Sequence, residues 1–194
     1  MSVEEARERL AQGWTFAEAM MGKEWQAKYP NIAAWRGGYC VAGSENRWKI
    51  SLTAHSGSEY PGFHATSYTL VEAEVACSTE PDRYRAVDDL IATWNAARGP
   101  EALLHFQRGW RSEIGWQQRY PHIAEWIARG KRHCIDIKIN CVTGQAHAKA
   151  WLYDKPSNTE TILCDERMQK ATEPEILSAL NAGIGKWLRE HERA

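Results

Sequence analysis

No stretch of the sequence reaches the roughly 18 consecutive apolar residues of a membrane-crossing helix, so no such helix is expected. The start, Met1-Ser2-Val3-Glu4-Glu5-Ala6, lacks the basic-then-apolar design of a secretory leader. An excess of one charge is missing too. With 24 basic and 25 acidic side chains the net charge is −1, which gives no global attraction to nucleic acid or to an anionic membrane. The five cysteines form no Cys-x-x-Cys pair and no metal-like spacing, and an odd number does not suit a disulfide framework. Cys77 and Cys164 fall in apolar, strand-like runs, as small buried hydrophobes do in a reducing compartment. The expected location is cytoplasmic.

Catalytic signatures are equally scarce. There is no Gly-x-Ser-x-Gly elbow, no Walker-type loop and no Gly-x-Gly-x-x-Gly. The seven histidines are scattered, and His122 and His133 do not have the spacing of a zinc finger. No cofactor and no metal is expected, and nothing in the sequence demands an enzyme.

What is abundant is tryptophan, ten in 194 residues, and a repeat that places several of them. Trp25-Gln-Ala-Lys-Tyr29-Pro30-Asn-Ile32-Ala33-Ala-Trp35 returns as Trp116-Gln-Gln-Arg-Tyr120-Pro121-His-Ile123-Ala124-Glu-Trp126, displaced by 91 positions. His64-Ala65 matches His147-Ala148, with Tyr68 on Trp151 and Cys77 on Cys164. Thr79-Glu-Pro81-Asp82 matches Thr172-Glu-Pro174-Glu175, and Trp94 falls on Trp187. The sequence reads as a tandem duplication of units 4–99 and 100–194, joined at Gly99-Pro100, and packed about a pseudo-two-fold axis. The first half carries −3 and the second +2.

Capping boxes at Ser2-x-x-Glu5 and Thr15-x-x-Glu18 announce two helices, the second carrying Phe16, Met20, Trp25 and Tyr29 and ended by Pro30. Pro30 can open a short helix that Gly37-Gly38 stops, and the same elements recur between Pro100 and Gly130. Alternation then predicts strands. Trp48, Ile50, Leu52 and Ala54 share one face, as do Ile135, Ile137, Ile139 and Cys141. Second strands are expected at about 63–70 and 145–153, and third strands at 72–77 and 160–164. Each half closes with an amphipathic helix capped by Thr79 or Thr172, with proline in the first turn and acids at the positive end of the dipole. The fold class is therefore α+β: two α-α-β-β-β-α units, each a three-stranded antiparallel sheet covered by helices on one face. Trp25, Trp35, Trp116 and Trp126 are the expected core; their other role would be a hot-spot surface for a protein.

Two sets of residues are candidates for a binding site. On the second strands His64, Thr66 and Tyr68 share a face, as do His147, Lys149 and Trp151. His64-x-Thr66 resembles one half of the His-x-Thr pair of two-histidine phosphoesterases, which implies proton transfer at a phosphate; the second copy departs from it at His147-x-Lys149. The other set is the basic turn Arg129-Gly-Lys131-Arg132-His133, present in the second copy only. The order helix, three strands, helix resembles that of double-stranded-RNA-binding domains. Their final helix starts with lysines, whereas here it starts with acids that repel phosphate. The expected function is a non-enzymatic binding protein, a compact bacterial inhibitor or adaptor, that engages a protein partner and no membrane. Nucleic-acid binding through the basic turn is the first alternative, and a phosphoesterase using the strand histidines the second. The oligomeric state is left open.

Overall fold

A computed structural model describes residues 16–44, 46–57, 64–99, 101–130 and 132–191. The expected helix opened by Ser2 and the Thr15 cap lie outside the described residues. The chain divides into two compact units, Met1–Leu52 with Glu72–Pro100, and Thr53–Val71 with Glu101–Ala194.

In the first unit, α1 (Phe16–Lys28) is kinked at Gly22, whose φ of 70° interrupts the helix. Pro30 ends the segment and supplies the first turn of α2 (Pro30–Ala34). Along the chain follow β1 (Gly38–Ser44), β2 (Arg47–Ser56), β3 (His64–Ala76) and the 19-residue α3 (Glu80–Arg98), with residues 53–71 of β2 and β3 belonging to the second unit. Thr79 caps α3 as expected, its hydroxyl oxygen accepting the Asp82 amide N–H at 3.3 Å. In the second half α4 (Glu101–Arg108), a 3-10 turn (Trp110–Ser112), α5 (Trp116–Arg119) and α6 (Pro121–Ala128) precede the strands. These are β4 (His133–Asn140), β5 (Ala146–Asp154) and β6 (Thr159–Met168), followed by α7 (Glu173–His191).

The architecture is mixed α+β with one six-stranded sheet in the order β1-β2-β3-β4-β5-β6, mostly antiparallel. Three expectations are corrected. Two separate three-stranded sheets were expected, but β3 pairs with β4 in parallel, Thr66 opposite Ile137 and Tyr68 opposite Ile139. A parallel pair needs a long crossover, and the helical segment from α3 to α6 supplies it. The expected second and third strands of the first half are one strand, because nothing between Leu70 and Glu72 turns the chain. The sequence reading also passed over β1, a short strand bounded by glycines. Gly43 is needed there: a Cβ would lie 2.2 Å from the Arg47 carbonyl oxygen.

The core follows the period-two pattern. Ile50, Leu52 and Ala54 are fully buried on β2, and Ile135, Ile137, Ala148 and Ala150 fill the buried face of β4 and β5. Of the four expected core tryptophans only Trp126 is fully enclosed; Trp25, Trp35 and Trp116 are half-buried. Tyr29 and Tyr120 of the repeated segment, at 3% exposure each, lie deeper than these three tryptophans. A tyrosine can bury its ring and still satisfy its hydroxyl, as Tyr29 does on the Pro81 carbonyl at 3.2 Å.

Each short proline-led helix is tied down by a side chain from the long helix of its own half. Tyr29 and Tyr120, in the N-cap positions, make no side-chain cap. In the first unit Asp88 of α3 takes over: Oδ1 accepts the Ile32 amide at 2.9 Å and Oδ2 the Asn31 side chain at 2.8 Å. In the second, Asn181 of α7 accepts the His122 and Ile123 amides at 2.9 and 3.2 Å. These are amides that a helix start leaves without an intrahelical partner. Above them Trp35 stands edge-on to Trp94 at 5.4 Å and 83°, and Trp126 to Trp187 at 5.6 Å and 83°.

Candidate functional site

The helix α4 presents Glu101, Leu104, His105 and Arg108 at positions i, i+3, i+4 and i+7, hence on one face. That face lines a cavity of about 330 Å³, completed by Tyr68 of β3, Phe106, Gly109, Trp110, Ser112, Glu113 and Glu173. All of these belong to the second unit. Gly109 ends the helix with a φ of 63°, and a Cβ there would meet the Ser56 hydroxyl at 2.2 Å. Only glycine lets the chain pass this close and turn. The turn delivers Trp110, 5% exposed, whose indole N–H donates to the Thr66 hydroxyl oxygen at 3.0 Å.

At the other wall Glu173, the first residue of α7, accepts a hydrogen bond from the Tyr68 hydroxyl. The Tyr68 ring is 2% exposed and packs on Phe106 with centroids 5.1 Å apart. Burial raises the Glu173 carboxyl above the usual glutamate range; the Tyr68 hydrogen bond opposes this, the neighbouring Glu113 adds to it and His105 opposes it. Burial likewise raises the Tyr68 phenol, with Glu173 adding to the effect, so this hydroxyl keeps its proton and donates it. Beside the cavity the apolar surface is open. Leu104 is 42% exposed, and Ile114, next to Glu113, is 100% exposed.

The sequence-derived candidates are dispersed. Tyr68 is in the cavity wall. Thr66 is buried beside it with its hydroxyl engaged by Trp110. His64 is described only in its backbone, opposite Ile135; the expectation placed on its imidazole lies outside the described residues. His147 and Lys149 lie on the opposite face of the sheet from Thr66 and Tyr68. The register Thr66–Ile137–Ala148 puts Ala148, not its neighbours, on the buried face. The two sets therefore do not share a face: Thr66 and Tyr68 lie inward, His147 and Lys149 outward.

On that outer face the His147 imidazole meets Asp165 at 2.9 Å, Arg167 reaches the same carboxylate at 3.2 Å, and Lys138 reaches Asp136 at 3.3 Å. Lys149 reaches Glu160 at 2.7 Å, with its ammonium 4.8 Å from the Trp151 ring centroid. An open hollow of about 480 Å³ lies here, lined among others by Ser67, Thr69, Asn140 and Gln145. The three permanent cations Arg167, Lys138 and Lys149 each pair with a carboxylate, so the face presents little net field to an anion.

The basic turn is described except at Lys131. Arg129 at the end of α6 pairs with Glu125 at 2.6 Å. Arg132 is exposed, and its carbonyl accepts the Tyr153 amide at 2.8 Å. The His133 ring packs edge-on to Trp126 at 4.5 Å, and burial, then the charge of Arg129, lowers its pKa below the usual imidazole value. The folded state thus favours neutral His133. As pH falls below the unfolded value of about 6.5 the unfolded chain gains a proton that the folded one resists, and stability is lost. Melting temperatures of the native chain and His133→Gln, taken between pH 7.5 and 5, are expected to fall more steeply for the native chain; parallel curves would refute this assignment.

No family model, curated protein or solved structure matches the chain. Among the described residues no helix is long and apolar enough to cross a membrane, and no cluster of three or more His, Cys, Asp or Glu could hold a metal. The sequence reading passed over Glu101, His105, Phe106, Trp110 and Glu113 as site residues. The i, i+3, i+4, i+7 face of α4 was the available signal, but Tyr68 and Glu173 are 105 residues apart and no local pattern joins them.

Proposed function

We propose that this chain is a non-enzymatic binding protein of the inhibitor or adaptor type, which engages a partner protein at the surface around the α4 cavity. The observation that carries the reading is the fully exposed Ile114, with Leu104, beside an aromatic-walled cavity holding a half-buried carboxylate. Protein contacts concentrate their energy in a few well-packed, desolvated pockets rich in aromatic side chains, ringed by contacts that exclude water. The near-neutral charge and the pairing of the outer-face cations favour a protein over nucleic acid. Buried thiols at Cys77 and Cys164 fit a reducing, cytoplasmic setting.

We also read the chain as a tandem duplication. Asp88 and Asn181 tie equivalent helix starts, and the two edge-on tryptophan pairs have the same geometry, as two copies of one ancestral packing would.

The test places a photo-crosslinking residue at Ile114, and separately at exposed Val142, in host lysate with and without nuclease treatment. A single protein adduct at position 114, competed by excess unlabelled chain and absent at 142, is expected. No adduct at 114, equal capture at both positions, or an adduct that needs intact nucleic acid would overturn the reading.

A further inference from the structure

We propose that the α4 cavity receives one cationic side chain, arginine in preference to lysine, from the bound partner. The source of that side chain rests on the protein-binding reading above; the chemistry of the cavity stands apart from it. Three carboxylates line the space, Glu101, Glu113 and Glu173, against one lining cation, Arg108, which is exposed; Glu113 is paired with Arg119 at 2.8 Å, which leaves Glu101 and Glu173 to face an entering group. The lining thus disfavours an anion and favours a cation. The rings of Phe106, Trp110 and Tyr68 line the same space, and aromatic faces attract cations, above all the flat, weakly hydrated guanidinium.

Glu173 is the focal group. Among the described residues its hydrogen-bond partner is Tyr68, through Oε1, while a carboxylate offers about four acceptor sites. It is therefore held in place with acceptor capacity to spare, as a guanidinium fork requires. Its desolvation disfavours the charged form, and an incoming cation would relieve that cost. A cavity of about 330 Å³ lies at the low end of ligand sites, near 300 Å³, which suits one long side chain better than a cofactor.

The experiment titrates the full chain with the acetylated, amidated tripeptide Gly-Arg-Gly and with its lysine, citrulline and glutamate counterparts. The Trp110 indole resonance is followed by NMR, assigned with Trp110→Phe. Saturable binding of the arginine peptide is expected, with the lysine peptide weaker and the neutral citrulline peptide weaker by about tenfold, the worth of one modest charge-assisted contact. Glu173→Gln is expected to lower arginine binding by a similar factor. Its amide oxygen can still accept from Tyr68, and its melting temperature verifies the fold. Glu101→Gln, at an exposed helix start, provides a second variant with a smaller loss.

Native-chain binding is expected to strengthen as pH rises through the raised Glu173 pKa. Equal binding of citrulline, preference for glutamate, no saturation by arginine, or unchanged affinity in both variants would overturn the proposal. The tripeptide titration and the crosslink at position 114 separate the two readings: saturable arginine binding with no protein adduct at all would keep the cavity assignment and reject the partner.

Discussion

Replacing Trp126 with alanine is expected to lower the unfolding free energy by about 3–5 kcal/mol, the range for deleting a buried aromatic side chain. The indole is fully enclosed, stands edge-on to Trp187 at 5.6 Å and to His133 at 4.5 Å, and donates its N–H to the Cys134 carbonyl at 3.3 Å. Alanine removes all three contacts and leaves a void between α6, α7 and the start of β4. Those elements are themselves tightly packed and cannot collapse to fill it. Trp126→Phe isolates the hydrogen bond: it keeps an aromatic edge for Trp187, and its cost should be clearly smaller. Urea denaturation followed by circular dichroism measures both. A loss below about 1 kcal/mol, the usual scale of surface changes or a single neutral hydrogen bond, would mean that the indole does not hold this corner together.

The second large effect is expected at the ties to the short helices. Asp88→Leu removes the acceptor for the Ile32 amide and for the Asn31 side chain, both at or under 2.9 Å, in a position only 7% exposed. A buried donor left without a partner costs about 1–3 kcal/mol, and a bond to a charged group lies in the upper part of that range. Asn181→Leu strands the amides of His122 and Ile123 and should cost less, because its amide acceptor is neutral and the site is half-buried. Asp88→Asn keeps an acceptor in place and should recover more than half of the loss. Denaturant midpoints of the four chains check the order native, Asp88→Asn, Asn181→Leu, Asp88→Leu. If Asp88→Leu proves as stable as the native chain, the tie carries no net energy.

Local chemistry was legible without coordinates. Thr79 caps α3 because threonine, proline and an acid in that order satisfy a helix start; at α7 the direction is reversed, the Thr172 amide and hydroxyl both donating to one Glu175 carboxylate oxygen at 2.7 and 2.8 Å. The stripes Val87, Ile91 and Trp94, and Leu177, Leu180 and Ile184, are buried as their helical spacing requires. The alternation of β2 and β4 likewise named the face that turns inward. The repeated Trp-Tyr-Pro segment was found in the right places, although tyrosine rather than tryptophan went deepest in its first turn. The reason lies in the Pro81 carbonyl waiting for Tyr29, a partner 52 residues away.

Only the tertiary structure decided the rest. Periodicity assigns residues to faces within one strand but contains nothing about which strand lies alongside, so the parallel pairing of β3 with β4 could not be read from either. That pairing put Tyr68 on the inner face, where α4 and the first residue of α7 close over it, and separated it from His147 and Lys149. The sequence by itself determined the long helices α3 and α7, the Thr79 cap and the buried stripes, because those depend on interactions within a few residues; β1 and the full length of β3 it did not. The cavity, its carboxylate and its aromatic walls depend on contacts between residues as much as 105 positions apart, which only the folded chain brings together.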